Sequence, residues 1–208
     1  MGIDQNRRPI AARASGWAAS LSAALARSST TPNQISLLSV FFAAVGAAVL
    51  FWALSVPALL LCAVCVQLRL ACNLLDGMVA MEGGKKTATG ALYNEFPDRV
   101  ADSLLIVALG YAAGTPWLGW LGALLAALTA YVRVFGGSLG QPQDFRGPMA
   151  KQHRMAVLTV ACLVGAVEMY LNGSRYSLLA ATIAIAAGSL LTCINRTRSI
   201  AAHLREQD

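Results

Sequence analysis

Five of the ten acidic residues in this chain fall within one stretch, Asn73–Asp102 (NLLDGMVAMEGGKKTATGALYNEFPDRVAD): Asp76, Glu82, Glu95, Asp98 and Asp102. Their spacing is helical. Arg69, Asn73, Asp76 and Ala80 recur at intervals of four, three and four, so they share one helix face. Asn94, Asp98 and Asp102 follow at strict four-residue spacing, with Glu95 bordering the stripe and Arg99 one residue past Asp98. Gly77, beside Asp76, weakens a helix but lets a backbone or a ligand approach closely. The flanking sequence is apolar, and an ionised carboxylate there is costly unless it faces protein, water or an opposite charge. Two arrangements satisfy that demand. A hard cation such as Mg2+, Mn2+ or Ca2+, rather than zinc, can sit among the oxygen donors. Alternatively, Arg69 and Arg99 neutralise the acids as structural ion pairs.

The elements that must position these residues read as membrane spans. The chain is 57% hydrophobic and 12% charged, with mean hydropathy +0.59; soluble domains carry about 25% charged residues. A crossing needs about 20 mostly apolar residues. Six segments meet that demand: Gln34–Leu54, Pro57–Ala80, Gly90–Ala112, Trp117–Val134, His153–Leu171 and Tyr176–Ile194. A soluble helical bundle needs polar outer faces, and LLSVFFAAVGAAVLFWAL has none. The expected fold class is therefore all-α integral membrane, with six transmembrane helices behind an N-terminal amphipathic interfacial helix.

That first helix is read at Pro9–Ala26, with Trp17, Leu21 and Leu25 on one face. The N-terminus lacks the compact apolar core and small-residue cleavage site of a signal peptide. The expected organisation is an N-terminal cytoplasmic and interfacial segment at 1–33, a membrane domain at 34–195 and a cytoplasmic tail at 196–208.

The formal charge of +6 follows topology. Arg7, Arg8, Arg13 and Arg27 precede the first span, Lys85 and Lys86 follow the second, and Arg146, Lys151 and Arg154 surround the four–five connection. Arg196, Arg198 and Arg205 follow the sixth span, whereas the opposite connections hold only Arg175. By the positive-inside rule both termini are cytoplasmic. No basic face with interleaved aromatics points to nucleic acid. The five cysteines lie inside apolar spans and read as buried, inert thiols, and His153 and His203 join no metal-ligand spacing. The absence of an internal repeat argues against a transporter using Asp76 and Asp98 as a pathway.

The acidic stretch resembles the signature of the CDP-alcohol phosphotransferases, D-x2-D-G-x2-A-R-x8-G-x3-D-x3-D. Here it reads Asn73-x2-Asp76-Gly77-x2-Ala80-Met81-x8-Gly90-x3-Asn94-x3-Asp98, and every spacing matches. The segment TPNQIS, Thr31–Ser36, resembles the entry of that family's first span. Three positions depart from the signature: Asn73 and Asn94 replace its first and third Asp, and Met81 replaces its Arg.

The resemblance implies a membrane transferase of phospholipid biosynthesis, in the bacterial inner membrane. It would move a phosphatidyl group from a CDP-linked lipid such as CDP-diacylglycerol to a polar alcohol, releasing CMP. In the family the first three Asp hold divalent ions and the fourth acts as general base. Carried over, the metal ligands for Mg2+ or Mn2+ are Asn73, Asp76, Asn94 and Asp98, with Glu95 and Asp102 as candidates to replace a lost carboxylate. Asp98 is the catalytic base. Asp76, Gly77, Ala80 and Gly90 face the nucleotide, and Arg133, Lys151 and Arg154 face an acceptor phosphate. A homodimer is also implied. The alternative is a catalytically silent relative that binds CDP-lipid or phospholipid without turnover.

Each Asn keeps an oxygen donor but drops a full negative charge, which matters most in a partly dehydrated site. Asn73→Asp combined with Asn94→Asp should therefore make thermal unfolding depend more steeply on Mg2+ concentration than in the parent. Parallel curves would remove both positions from a metal site.

Overall fold

In a computed structural model, which describes residues 15–206, every regular element is an α-helix. The order is α1 (Gly16–Arg27), α2 (Pro32–Trp52), α3 (Val56–Met81), α4 (Gly90–Ala112), α5 (Pro116–Ser138), α6 (Lys151–Asn172) and α7 (Tyr176–Arg205). Local sequence sets most of the boundaries. Thr31 and Gln34 form a capping box at the start of α2, with Pro32 in its first turn. The Ser55 side chain accepts from the Ala58 N–H at the start of α3. Gly173, at φ +70°, ends α6 in the left-handed conformation that glycine tolerates best.

Each of the six expected spans coincides with one helix. Five of these helices are long and apolar enough to cross a bilayer: α2, α3, α5, α6 and α7. The remaining one, α4, has 23 residues but carries Glu95, Asp98, Arg99 and Asp102 along its length. One boundary differs from expectation: α7 continues past Ile194 to Arg205. Its extension holds the α5–α6 connection. Gln141 donates to the Ile200 carbonyl, Arg196 Nε donates to the Arg146 carbonyl, and the Met149 N–H donates to Thr192 Oγ1. Gly147 passes so close to α7 that a Cβ there would lie 2.4 Å from the Thr192 methyl carbon.

At the N-terminus, α1 packs on α3, burying Ala18 and Ser22 while Trp17 and Leu21 stay exposed. Leu25, expected on the same face as those two, packs instead against the small cluster of Ile35, Cys72, Leu75 and Val79. The part of the expected Pro9–Ala26 helix before Ser15, with Arg7, Arg8 and Arg13, lies outside the described residues.

The six long helices close into a ring. α2 packs on α3 and α4, α3 on α6, α6 on α7, α7 on α5, and α5 on α4. The α4–α5 hairpin is tight because Gly110 meets Gly119; a Cβ on Gly110 would lie 2.5 Å from the Gly119 Cα. The outer surface of the ring is apolar, with Leu37, Phe41, Leu61, Val64, Leu124, Val160 and Leu191 all exposed. Its interior is apolar at one end, around Leu59, Leu105, Leu109, Leu158 and Ile185. Towards the other end the interior is charged.

The charged interior centres on Asp102 of α4, which is 2% exposed. Arg69 of α3 donates to its Oδ1 at 2.6 Å, and Arg154 of α6 donates to its Oδ2 at 2.7 Å. Both guanidinium groups are buried, at 0% and 1% exposure. Removing one partner of a buried ion pair leaves an uncompensated charge, at a cost of about 3–5 kcal/mol. Asp102→Ala should therefore lower the thermal unfolding midpoint of the detergent-solubilised protein sharply, and Asp102→Asn by less. An unchanged midpoint for Asp102→Ala would show that the three charges do not hold the helices together.

Candidate active site

At the charged end, α3, α4, α5, α6 and the end of α7 surround a cavity of about 1440 Å3. Asn73, Asp76, Gly77 and Ala80 line it from α3, and Gly90, Asn94, Glu95, Asp98 and Arg99 from α4. The two stripes seen in the sequence thus meet on one wall. Asn94 is exposed, whereas Asp76 and Asp98 are buried. Ser36 of α2 donates to Asp76 Oδ2 at 2.6 Å, fixing that carboxylate from behind. Asp98 has cationic neighbours on both oxygens. Lys151 Nζ contacts Oδ1, Arg69 Nη2 lies 3.6 Å from Oδ1, and Arg99 Nη2 lies 3.6 Å from Oδ2. Pro97 precedes Asp98 inside α4. Having no N–H, it leaves the Tyr93 carbonyl without its helical donor.

Arg133, Lys151 and Arg154 line the opposite wall, as does Arg196, read above only as a topogenic charge after the sixth span. Each already has a partner. Arg133 Nη2 donates to Glu95, its Nη1 donates to Gln143, and its guanidinium carbon lies 4.9 Å from the centre of the Phe145 ring. Arg154 donates to Asp102, the Met149 carbonyl and Thr129. Arg196 donates to the carbonyls of Thr129 and Arg146.

Asp144, in the α5–α6 connection, is held below the ordinary carboxylate range. Burial acts against that direction, but hydrogen bonds from the Arg146 side chain and N–H outweigh it. Arg146 itself points into solvent, with its side chain 84% exposed. Lys85 does not reach out from the EGGKK loop: it donates to the carbonyls of Leu25, Ser28 and Thr30 and so caps α1.

The four signature positions offer a hard-oxygen set of two carboxylates, Asp76 and Asp98, and two amides, Asn73 and Asn94. Two negative charges match one divalent cation. The amide nitrogen of Asn73 is buried without a hydrogen-bond partner, which leaves a donor open to an acceptor in the cavity. Among the described residues no group of three or more His, Cys, Asp or Glu side chains comes together. That follows from the two Asn and from the engagement of both reserve acids. Glu95 is taken by Arg133, and Asp102 lies beneath the cavity with both oxygens bound to arginine. The two carboxylates and two amides are a donor set that suits a divalent cation, while Glu95 and Asp102 are each engaged by arginine.

Ser36, Gln143, Phe145 and Arg196 carried no signal of their own in the sequence. Ser36 stood at the end of TPNQIS, and Gln143 and Phe145 stood in the basic connection between the fourth and fifth spans, without a role read for any of the three.

An apolar ring of helices around a cavity with carboxylates on one wall and guanidinium groups on the other is the outline of a membrane-embedded site for a charged headgroup. No family model matches the chain. Individual relatives do. It is 32% identical over 186 residues to an archaetidylinositol phosphate synthase of Aeropyrum pernix, covering 87% of this chain and 88% of that one. It is 28% identical over 171 residues to the inner membrane protein YnbA of Escherichia coli, covering 82% and 84%. A crystal structure of the phosphatidylinositol phosphate synthase of Mycobacterium tuberculosis with CDP-DAG bound shares the fold. Its TM-score is 0.72 at 18% identity, covering 88% of this chain and 92% of that one. The same protein has been solved in complex with manganese and citrate, at TM-score 0.71. The chain belongs to the CDP-alcohol phosphotransferase family.

Proposed function

We propose that the protein transfers a phosphatidyl group from CDP-diacylglycerol to a polar alcohol and releases CMP. The observation that carries this reading is the convergence of Asp76, Gly77 and Ala80 of α3 with Gly90, Asn94 and Asp98 of α4 on one cavity. Gly77, Ala80 and Gly90 keep that wall low, so a nucleotide can lie against the helix backbones. The apolar outer faces of the ring give the acyl chains of the donor a lipid environment. The signature positions and the relatives' activities support the choice of donor.

In the reaction the acceptor oxygen forms a bond to the lipid-linked phosphorus. The phosphorus–oxygen bond to CMP breaks, and Asp98 takes the hydroxyl proton. Lys151 contacts the Asp98 carboxylate, and it must withdraw for that carboxylate to reach the hydroxyl. Ser36 holds Asp76 in place. Asp76 and Asp98, with the side-chain oxygens of Asn73 and Asn94, would hold Mg2+ or Mn2+, which would supply charge neutralisation of the diphosphate. Arg133, Lys151, Arg154 and Arg196 make the acceptor wall.

The supporting topology takes α2 to α7 as six spans and residues 34–195 as the membrane domain. In it α1 lies in the interface, both termini are cytoplasmic and the protein is a homodimer. Runs such as AAVGAA in α2 suit close helix packing. A second reading, a silent CDP-lipid-binding protein, is favoured by Asn73, Asn94 and the Lys151–Asp98 contact.

The purified protein, given CDP-diacylglycerol, Mg2+ or Mn2+ and a panel of alcohols, should release CMP with at least one acceptor. Asp98→Asn should reduce that rate by about 10^2–10^4-fold, the usual contribution of a general base. Binding of CDP-diacylglycerol with no CMP release from any acceptor would establish the silent reading instead.

A further inference from the structure

Building on the transferase reading, we propose that Glu95 is a specificity-determining residue. Its carboxylate holds the Nη2 end of the Arg133 guanidinium, which an acceptor phosphate would take, and so biases the enzyme towards alcohols that carry no phosphate.

The geometry is specific to this pair. Arg133 is buried at 8% exposure and fixed on several sides. Gln143 accepts from Nη1, Phe145 lies across the guanidinium, and Glu95 accepts from Nη2. Gln143 and Phe145 belong to the α5–α6 connection, which is itself tied to α7 through Gln141, Arg146 and Met149. The guanidinium is therefore a fixed anion seat, and a carboxylate of the same chain is already in it. Guanidinium forks suit phosphate and carboxylate geometry alike, so the two ligands exclude each other.

Glu95 is the looser partner, with 34% of its side chain exposed. It lies one residue from the stripe of Asn94 and Asp98, on the rim of the same cavity. The other acceptor-wall cations are engaged as well, Arg196 with the carbonyls of Thr129 and Arg146. Lys151 contacts Asp98, and Arg154 is locked onto Asp102. In a partly dehydrated cavity, a second anion beside the Glu95 carboxylate meets strong repulsion. An uncharged hydroxyl compound meets none.

Isothermal titration of the purified full chain with inorganic phosphate tests the seat without any need for turnover. Glu95→Gln should bind phosphate at least tenfold more tightly than the parent. Adding Arg133→Gln to it should return affinity to the parent level, with Arg133→Lys as a second variant should that protein fail to fold. In CMP-release assays, the parent should prefer glycerol to glycerol 3-phosphate, and Glu95→Gln should gain use of the phosphorylated alcohol. Equal phosphate affinity in parent and Glu95→Gln, or a gain that survives loss of Arg133, would overturn the proposal. A parent that prefers glycerol 3-phosphate would overturn it as well. Tighter phosphate binding in Glu95→Gln without CMP release from any variant would sustain the Arg133 seat and sink the transferase reading instead.

Discussion

The structure depends on a carboxylate placed where it cannot stand alone. Asp102 lies inside a ring of apolar helices, and its two oxygens are shared between Arg69 of α3 and Arg154 of α6. None of these three charges would be tolerated singly at this depth. Together they tie α3 and α4 to the more remote α6 in one arrangement. Their position also orders what lies above them. Arg69 reaches from Asp102 to within 3.6 Å of Asp98, and Arg154 reaches from Asp102 to the Met149 carbonyl at the start of α6. The floor of the cavity is thus made by the same contacts that close the ring.

Above this floor, the site works by competition among charges rather than by accumulating ligands. With Asn at two signature positions, the wall of α3 and α4 brings only Asp76 and Asp98 as signature carboxylates. Asp98 is balanced by Lys151 and Arg99, and Glu95 balances Arg133. The charges on these side chains are thus largely balanced within the chain itself.

Much of this was legible in the sequence because membrane helices leave few choices. The apolar runs gave all six long helices, and four-residue spacing placed Asn94, Asp98 and Asp102 on one face. The same periodicity could not separate depth from direction. Asp102 and Arg69 share stripes with Asp98 and Asn73 yet lie beneath the cavity, because a stripe running along a helix leaves the cavity where the ring closes. The extension of α7 to Arg205 was hidden because polar residues beyond Ile194 look like a tail; only its bonds to the α5–α6 connection explain it. Partners such as Ser36, Gln143 and Phe145 lie far along the chain from the acids they serve, and no local pattern marks them. Lys85 looked like a topogenic charge, and its three carbonyl acceptors appear only once α1 is folded against α3.

Asp76 and Asp98 share the α3–α4 wall of one cavity, and the proposed transfer requires that wall to hold the headgroup. An experimental structure of the protein with CDP-diacylglycerol and Mn2+, recorded with anomalous scattering from manganese, tests it most directly. One manganese peak should contact both carboxylates, with the diphosphate beside it and Lys151 withdrawn from Asp98. A nucleotide bound outside the α3–α4 wall, or Asp98 still paired with Lys151 and no manganese at Asp76, would contradict it.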